Sequence, residues 1–225
     1  GEGSDLVGPV IHPAVLASGF SRPDRIIISH GDLDHAGGLA SLQDRYPDTP
    51  VYASLSQAKE GVHRCDDTLA WAWQKSHFEV LHPSPYLPYQ GNDSSCVLDI
   101  STGAFKLLLT GDISTKVERR LLSRDLGTYH ILLVPHHGSR SSSDPGLLQV
   151  TLPKLAIATA GIGNRFGFPR EEVKQRYAAA GIRLISTDQC GAIRLEVGQD
   201  GALQLRSARL ERRAPWRWPA GPDCP

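Results

Sequence analysis

The chain is predicted to fold as a layered α/β domain, with sheet inside and helices outside. Three observations predict this. Short, β-branched apolar runs recur along the 225 residues, helical patterns alternate with them, and turn-forming Gly, Pro, Asn or Asp bound most runs. Antiparallel hairpin signals among these runs make the class mixed, not a purely parallel array.

In chain order, the pattern opens with a helix over 12–17 and a strand over 25–29, where three successive isoleucines precede a polar cluster. A helix over 39–46 follows, then strands over 50–53 and 77–81. Strands over 95–101 and 104–110 are joined by Thr102-Gly103, a tight hairpin turn. The helix over 115–122 carries a capping-box signature, with Ser114 or Thr115 as the cap and Glu118 as its partner. A strand over 131–134, a helix over 145–150 and a strand over 155–158 come next. The helix over 170–180 sets Val173 and Tyr177 four apart on one face and stops at Gly181. Strands over 183–186, 192–197 and 203–208 end the domain, the last two joined by a turn at 198–201. Residues 1–208 form the predicted domain, and 209–225, with Arg212, Arg213, Trp216, Arg217 and Trp218, a basic Pro- and Trp-containing tail.

Lys plus Arg and Asp plus Glu are 24 each, so bulk charge offers no attraction to nucleic acid, and any polyanion must be held locally. An apolar fraction of 40% and a charged fraction of 21% are those of a soluble globular chain. No apolar run reaches the length of a membrane span. Cys65, Cys96, Cys190 and Cys224 lack C-x-x-C spacing, which argues against a zinc ribbon or thioredoxin-like site and leaves disulfides open. The absence of any Met, even at position 1, is read as the mark of a fragment.

The richest chemistry stands at Ser29-His30-Gly31-Asp32-Leu33-Asp34-His35. His30, Asp32, Asp34 and His35 place four metal-ligating side chains in six positions directly after an apolar strand. The C-terminal end of a strand is where α/β folds build their sites. A mixed imidazole and carboxylate set suits two borderline or hard cations. A second strand ends in Thr110-Gly111-Asp112, whose carboxylate has lone pairs enough to bridge two cations. A third ends in Pro135-His136-His137-Gly138-Ser139. Adjacent histidines there point different ways, so at most one is expected to bind metal, while the other orients substrate, protonates a leaving group or supports the ligands from behind. Asp34, His136 and His137 are the candidate catalytic residues. Ser139, Arg140 and Ser141 then offer hydroxyls and a guanidinium suited to a phosphate. The isolated His12, His63, His77, His82 and His130 read as packing or surface residues.

Assembled, these residues resemble the metallo-β-lactamase-fold hydrolases. In that superfamily a His-x-His-x-Asp-His motif, a bridging Asp and a final His hold two metals between the sheets of an αββα sandwich. His30, Asp34 and His35 match the motif, with Asp32 where a second His is usual; Asp112 matches the bridging Asp, and His136 or His137 the final His. The Asp32 variant, with Thr110-Gly111-Asp112, Pro135-His136-His137-Gly138-Ser139 and Asn164-Arg165-Phe166-Gly167, is similar to the C-terminal soluble domains of ComEC-type competence proteins. Those are polytopic inner-membrane proteins that import single-stranded DNA during natural transformation.

The resemblance implies an αββα sandwich whose first hairpin strands lie outside this chain. It also implies two divalent cations, Mn²⁺ or Zn²⁺, with Asp32 shifting the preference toward manganese. The implied activity is DNase-like hydrolysis of the non-transported strand. The implied partners are single-stranded DNA and the rest of a membrane channel, placing the chain as a soluble domain of an inner-membrane protein. Asn164 and Arg165 join the phosphate contacts. Phe168 stands where the family often has His, and Cys190 where it often has Asp. The competing expectations are another phosphoesterase on the same fold, or a non-catalytic DNA-binding scaffold.

Overall fold

The computed structural model describes residues 5–198, 202–211 and 220–225. The chain divides into two compact units. The first comprises the described residues up to Ala70 together with Val80–Val97, and the second Trp71–Glu79 and the described residues from Leu98 onward.

In chain order the elements are α1 His12–Ala17, β1 Ile26–Ile28, α2 Leu33–Ala36, α3 Leu39–Arg45, β2 Val51–Ala53, β3 Val62–Arg64, β4 Ala70–Trp73 and β5 Ser76–His82. They continue with β6 Val97–Thr102, β7 Phe105–Leu109, α4 Thr115–Leu121, β8 Ile131–Leu133, α5 Pro145–Thr151, β9 Leu155–Ala158 and α6 Glu171–Ala179. The last are β10 Arg183–Ser186, α7 Thr187–Cys190, β11 Ile193–Val197, β12 Leu203–Ser207 and α8 Ala208–Glu211.

The first unit carries a three-stranded parallel sheet in the order β1-β2-β3. Ile26 and Ile28 point into a core with Leu39, Leu42, Tyr46 and Val51, so α3 packs its Leu39/Leu42 face on the sheet. Burial of these side chains contributes roughly 1.5–3 kcal/mol each.

A seven-stranded mixed sheet runs β10-β9-β8-β7-β6-β5-β4. β6 and β7 form the expected hairpin, with Thr102 opposite Phe105 and Gly103 at φ +57° in the two-residue loop. From β7 to β10 the strands are parallel. β9 is buried along its whole length, as a parallel strand covered on both faces must be. Val173 and Tyr177 of α6 are both fully buried, as their spacing predicts. This parallel run brings the ends of β7, β8 and β9 to one edge, which positions the second unit's polar residues.

Three expectations need correction or completion. β3 and β4 are strands that apolar patterning does not reveal. Glu118 does not close a capping box: Ser114 is the N-cap without a side-chain capping bond, and the Glu118 carboxylate turns inward to the amides of Ser143 and Asp144. The cysteines pair, Cys65 with Cys96 in the first unit and Cys190 with Cys224 in the second. The predicted turn at 198–201 lies outside the described residues at positions 199–201, although β11 and β12 pair antiparallel around it. Arg212, Arg213, Trp216, Arg217 and Trp218 of the predicted tail also lie outside them. Among the described residues, no helix is long and apolar enough to cross a membrane.

Candidate metal centre

In the first unit, the chain leaves β1 at Ser29 and places His30 in full burial. Asp32 is the N-cap of α2, and its carbonyl accepts from the amides of His35 and Ala36. Asp34 and His35 therefore ride on the first turn of a short, regular helix. The His30 and His35 rings lie 4.3 Å apart.

Hydroxyls fix the imidazoles. Ser95 Oγ donates to the Asn92 carbonyl at 2.7 Å, so its single proton is committed. Toward His30 Nδ1, 3.3 Å away, the same oxygen must accept, which assigns the proton of His30 to Nδ1 and the lone pair to Nε2. Ser29 Oγ lies 3.2 Å from the same Nδ1 and 2.9 Å from His35 Nδ1. Nε2 of His30 faces Asp32 Oδ2 at 3.6 Å, and Nε2 of His35 faces Asp34 Oδ2 at 3.6 Å.

In the second unit, Thr110 follows β7, and its hydroxyl donates to the Leu133 carbonyl at 2.8 Å and ties the ends of β7 and β8 together. Gly111, at φ +56°, turns the chain so that Asp112 is buried at 5% exposure. After β8, His136 and His137 both adopt left-handed backbone, at φ +48° and +55°, followed by Gly138 at +85°. Each non-glycine residue held there costs of order 1–3 kcal/mol, a cost that persists only where the surroundings enforce it. The enforcing contacts are visible. His136 N donates to the Gly111 carbonyl at 3.0 Å, and Arg170 N to the Gly138 carbonyl at 2.9 Å. A Cβ on Gly138 would stand 2.5 Å from Cβ of Pro169, so only glycine fits.

His137 Nδ1 lies 2.8 Å from the Thr159 carbonyl. A carbonyl only accepts, so Nδ1 carries the proton and Nε2 the lone pair, directed at Asp112 Oδ2 3.4 Å away. His136 Nε2 stands farther from that oxygen, at 3.9 Å. Phe168 walls the pair, edge-on to His136 at 6.0 Å and stacked with His137 at 6.4 Å.

Behind this loop, Glu118 is fully buried and accepts from the Ser143 amide at 2.7 Å and from the Asp144 amide. Burial pushes its carboxyl up to about 7, against the pull of those two amides and of Arg176. Arg176 donates to the Ser142 carbonyl, and Ser143 Oγ lies 3.2 Å from Tyr177 Oη. The Ser-rich stretch is therefore anchored from below.

The other anticipated residues fall as follows. Ser139 and Ser141 bring their hydroxyls within 3.1 Å of each other in an exposed position. Arg140 pairs with Glu172 at 3.0 Å. Asn164 spends its amide on its own loop, accepting from Phe168 N and donating to the Phe168 carbonyl, both at 2.8 Å. Arg165 lays its guanidinium over Phe166 at 4.8 Å. Sequence reasoning missed Ser29, Ser95, Thr159 and Glu118 as supports. Ser29 and Ser95 flank polar clusters already noticed, whereas nothing local marks Thr159 or Glu118.

The donor set fits a divalent cation by spacing as well as type. Two ligands at roughly 2.1 Å from one tetrahedral ion stand ~3.4 Å apart. Three imidazole–carboxylate pairs, His30–Asp32, His35–Asp34 and His137–Asp112, stand at 3.6, 3.6 and 3.4 Å, longer than good hydrogen bonds.

Fold and donor pattern together define the class: the chain belongs to the metallo-β-lactamase superfamily, whose family model matches residues 13–159. Among individual proteins, it is 36% identical over 198 residues to competence protein ComA of Neisseria gonorrhoeae, covering 87% of this chain and 28% of that protein. It is 32% identical over 195 residues to recombination protein 2 of Haemophilus influenzae, covering 86% of this chain and 24% of that protein. The chain thus spans 28% and 24% of the length of these relatives and is similar to a part of each. The metallo-β-lactamase fold protein YhfI of Bacillus subtilis superposes with a TM-score of 0.51, over 89% of this chain and 83% of that one, at 11% identity. That likeness speaks to fold alone.

Proposed function

We propose that the chain is the metal-dependent phosphodiester hydrolase domain of a larger DNA-uptake protein, acting on single-stranded DNA. The observation that carries the reading is the three imidazole–carboxylate pairs at ligand spacing, two of them with the Nδ1 proton committed to an oxygen. In this reading Asp34, His35, Asp112 and His137 would serve as ligands of one cation. His30 and Asp32 join them for a second cation.

Divalent cations bound by such donors would supply a hydroxide nucleophile near neutral pH and polarise the phosphoryl group. Of the chain's own residues, Asp112 would help to hold the cations. The Thr159 carbonyl and the Ser95 hydroxyl keep the His137 and His30 lone pairs on Nε2. His136, with its side chain 24% exposed and farther from Asp112, would hand a proton to the departing oxygen in this reading. Ser139 and Ser141 are the nearest neutral donors for a flanking phosphate, with Arg140 recruited from its pair with Glu172. Support for DNA as the substrate is the likeness over most of the chain to a competence protein and a recombination protein.

The test is degradation of end-labelled single-stranded DNA with Mn²⁺ or Zn²⁺, with and without chelator. Cleavage should require the metal, and Asp112→Ala should lower it about 1,000-fold, the loss of several kcal/mol of charge stabilisation. Cleavage that survives Asp112→Ala, or no cleavage with either metal, overturns the proposal.

A further inference from the structure

The first unit contains a pocket of about 370 Å³ that the proposed metal centre does not use. That volume lies in the range of small-molecule sites. Its walls are the segment leaving β2, the start of β3 and the 83–94 stretch.

Its chemistry is one-sided. Among the described residues no Asp or Glu lines it, whereas Lys59 and Arg64 do. Lys59 has no ion-pair partner among the described residues, and Arg64 reaches Asp66 through Nε at 3.3 Å. Ser54 lines the pocket at 6% exposure, and its hydroxyl makes no hydrogen bond among the described residues. Without a protein partner, the hydroxyl is available to a ligand in the pocket. The rest of the lining mixes polar Ser56, Gln57, His63 and Ser94 with an apolar or aromatic part made chiefly by Leu55, Leu87 and Tyr89.

Tyr89 also ties the pocket to the first donor loop. The Gly31 amide, next to His30, donates to Tyr89 Oη at 3.1 Å. A Cβ on Gly31 would stand 3.0 Å from that oxygen, so the loop follows the tyrosine closely. A ligand against Tyr89 is thereby held one residue from a proposed metal ligand.

We propose that this pocket binds one nucleoside phosphate. Lys59, Arg64 and the Ser54 hydroxyl take the phosphate, and Leu55, Leu87 and the Tyr89 ring cover the sugar and base. Its role as the seat for a nucleotide of the substrate strand rests on the hydrolase reading above; binding itself does not.

The test is calorimetric titration of thymidine monophosphate, a single-stranded dT oligonucleotide and inorganic phosphate into the chain in the presence of chelator. One saturable site is expected for a nucleotide probe, with phosphate competing. Lys59→Ala should weaken it about tenfold, as loss of a charge-assisted contact does, and Ser54→Ala about threefold, with thermal melts unchanged. Asp112→Ala should leave it unchanged. Binding of the monophosphate alone identifies a free nucleotide as the ligand, and displacement of the monophosphate by the oligonucleotide identifies a strand; both uphold the site. No binding by either nucleotide probe, or wild-type affinity in both variants, overturns it. Binding that persists when no DNA is cleaved defeats the hydrolase reading and leaves the pocket standing.

Discussion

The loop after β1 and the loop after β8 both set imidazoles beside carboxylates at the C-terminal end of a parallel strand, on backbones of opposite character. The first runs into a regular helical turn with Asp32 as its N-cap, and side-chain hydroxyls orient its histidines. The second holds two non-glycine residues in left-handed conformation, fixes His137 by a backbone carbonyl, and rests on a buried carboxylate. The first loop is thus supported by groups that mutation can delete one at a time. The second is a strained piece that its surroundings clamp as a unit.

The largest expected effect follows from that clamp. Gly138→Ala adds a methyl 2.5 Å from Pro169 Cβ at φ +85°, and should cost about 3–5 kcal/mol, read as a fall of roughly 10 °C in melting temperature. The matched change in the first loop, Gly31→Ala, meets the end of a side chain, Tyr89 Oη, at 3.0 Å, and should cost about 1 kcal/mol. Equal losses would erase the proposed difference between the loops.

Next comes pH. Glu118 ionises near 7 in the fold against 4.5 in the open chain, because burial disfavours its charge. A carboxyl raised in this way stabilises the fold fully below about pH 4.5, and the contribution is lost as pH rises to about 7. The ceiling is about 3 kcal/mol between those limits. Denaturant melts from pH 4.5 to 8 should show that slope in the wild type, and Glu118→Gln should remove it. An unchanged slope in Glu118→Gln would place the titration elsewhere and remove the buried carboxylate as the support of the second loop.

The same contrast explains what could be read from the sequence. Residues that announce themselves by type and spacing, His30 to His35, Asp112 and His136-His137, all stand beside strand ends whose apolar runs are local signals. The class of fold was legible because β1, β7, β8 and β9 are β-branched or leucine-rich and end in Gly or polar clusters. β3 and β4 were not, since three or four residues of Val-His-Arg or Ala-Trp-Ala-Trp become strands only through long-range pairing. Glu118 looked like a capping residue because its sequence neighbours cannot show that Ser143 and Asp144 lie beneath it. Thr159 acts through a main-chain carbonyl, which every residue has, so its sequence carried no mark. Asn164 and Arg165 were noticed by motif, and their side chains serve the 161–168 loop and a ring stack.

The smallest effects sharpen the comparison most, because they separate two ways of fixing a tautomer. Ser95→Ala removes the acceptor that commits the His30 proton to Nδ1, while Ser29 remains 3.2 Å away as partial replacement. Loss of such an outer support costs 10- to 100-fold in metal affinity, so about tenfold is expected for Ser95→Ala and about 100-fold when Ser29→Ala is added. Thr159→Val deletes the hydroxyl 2.9 Å from His137 Nδ1 but leaves the carbonyl at 2.8 Å, and should change affinity less than about threefold. Competition titration of Zn²⁺ or Mn²⁺ against a chromophoric chelator reads all three variants on one scale. Should Thr159→Val lose as much as Ser95→Ala, the carbonyl is not what holds His137, and the second loop depends on replaceable side chains as the first does.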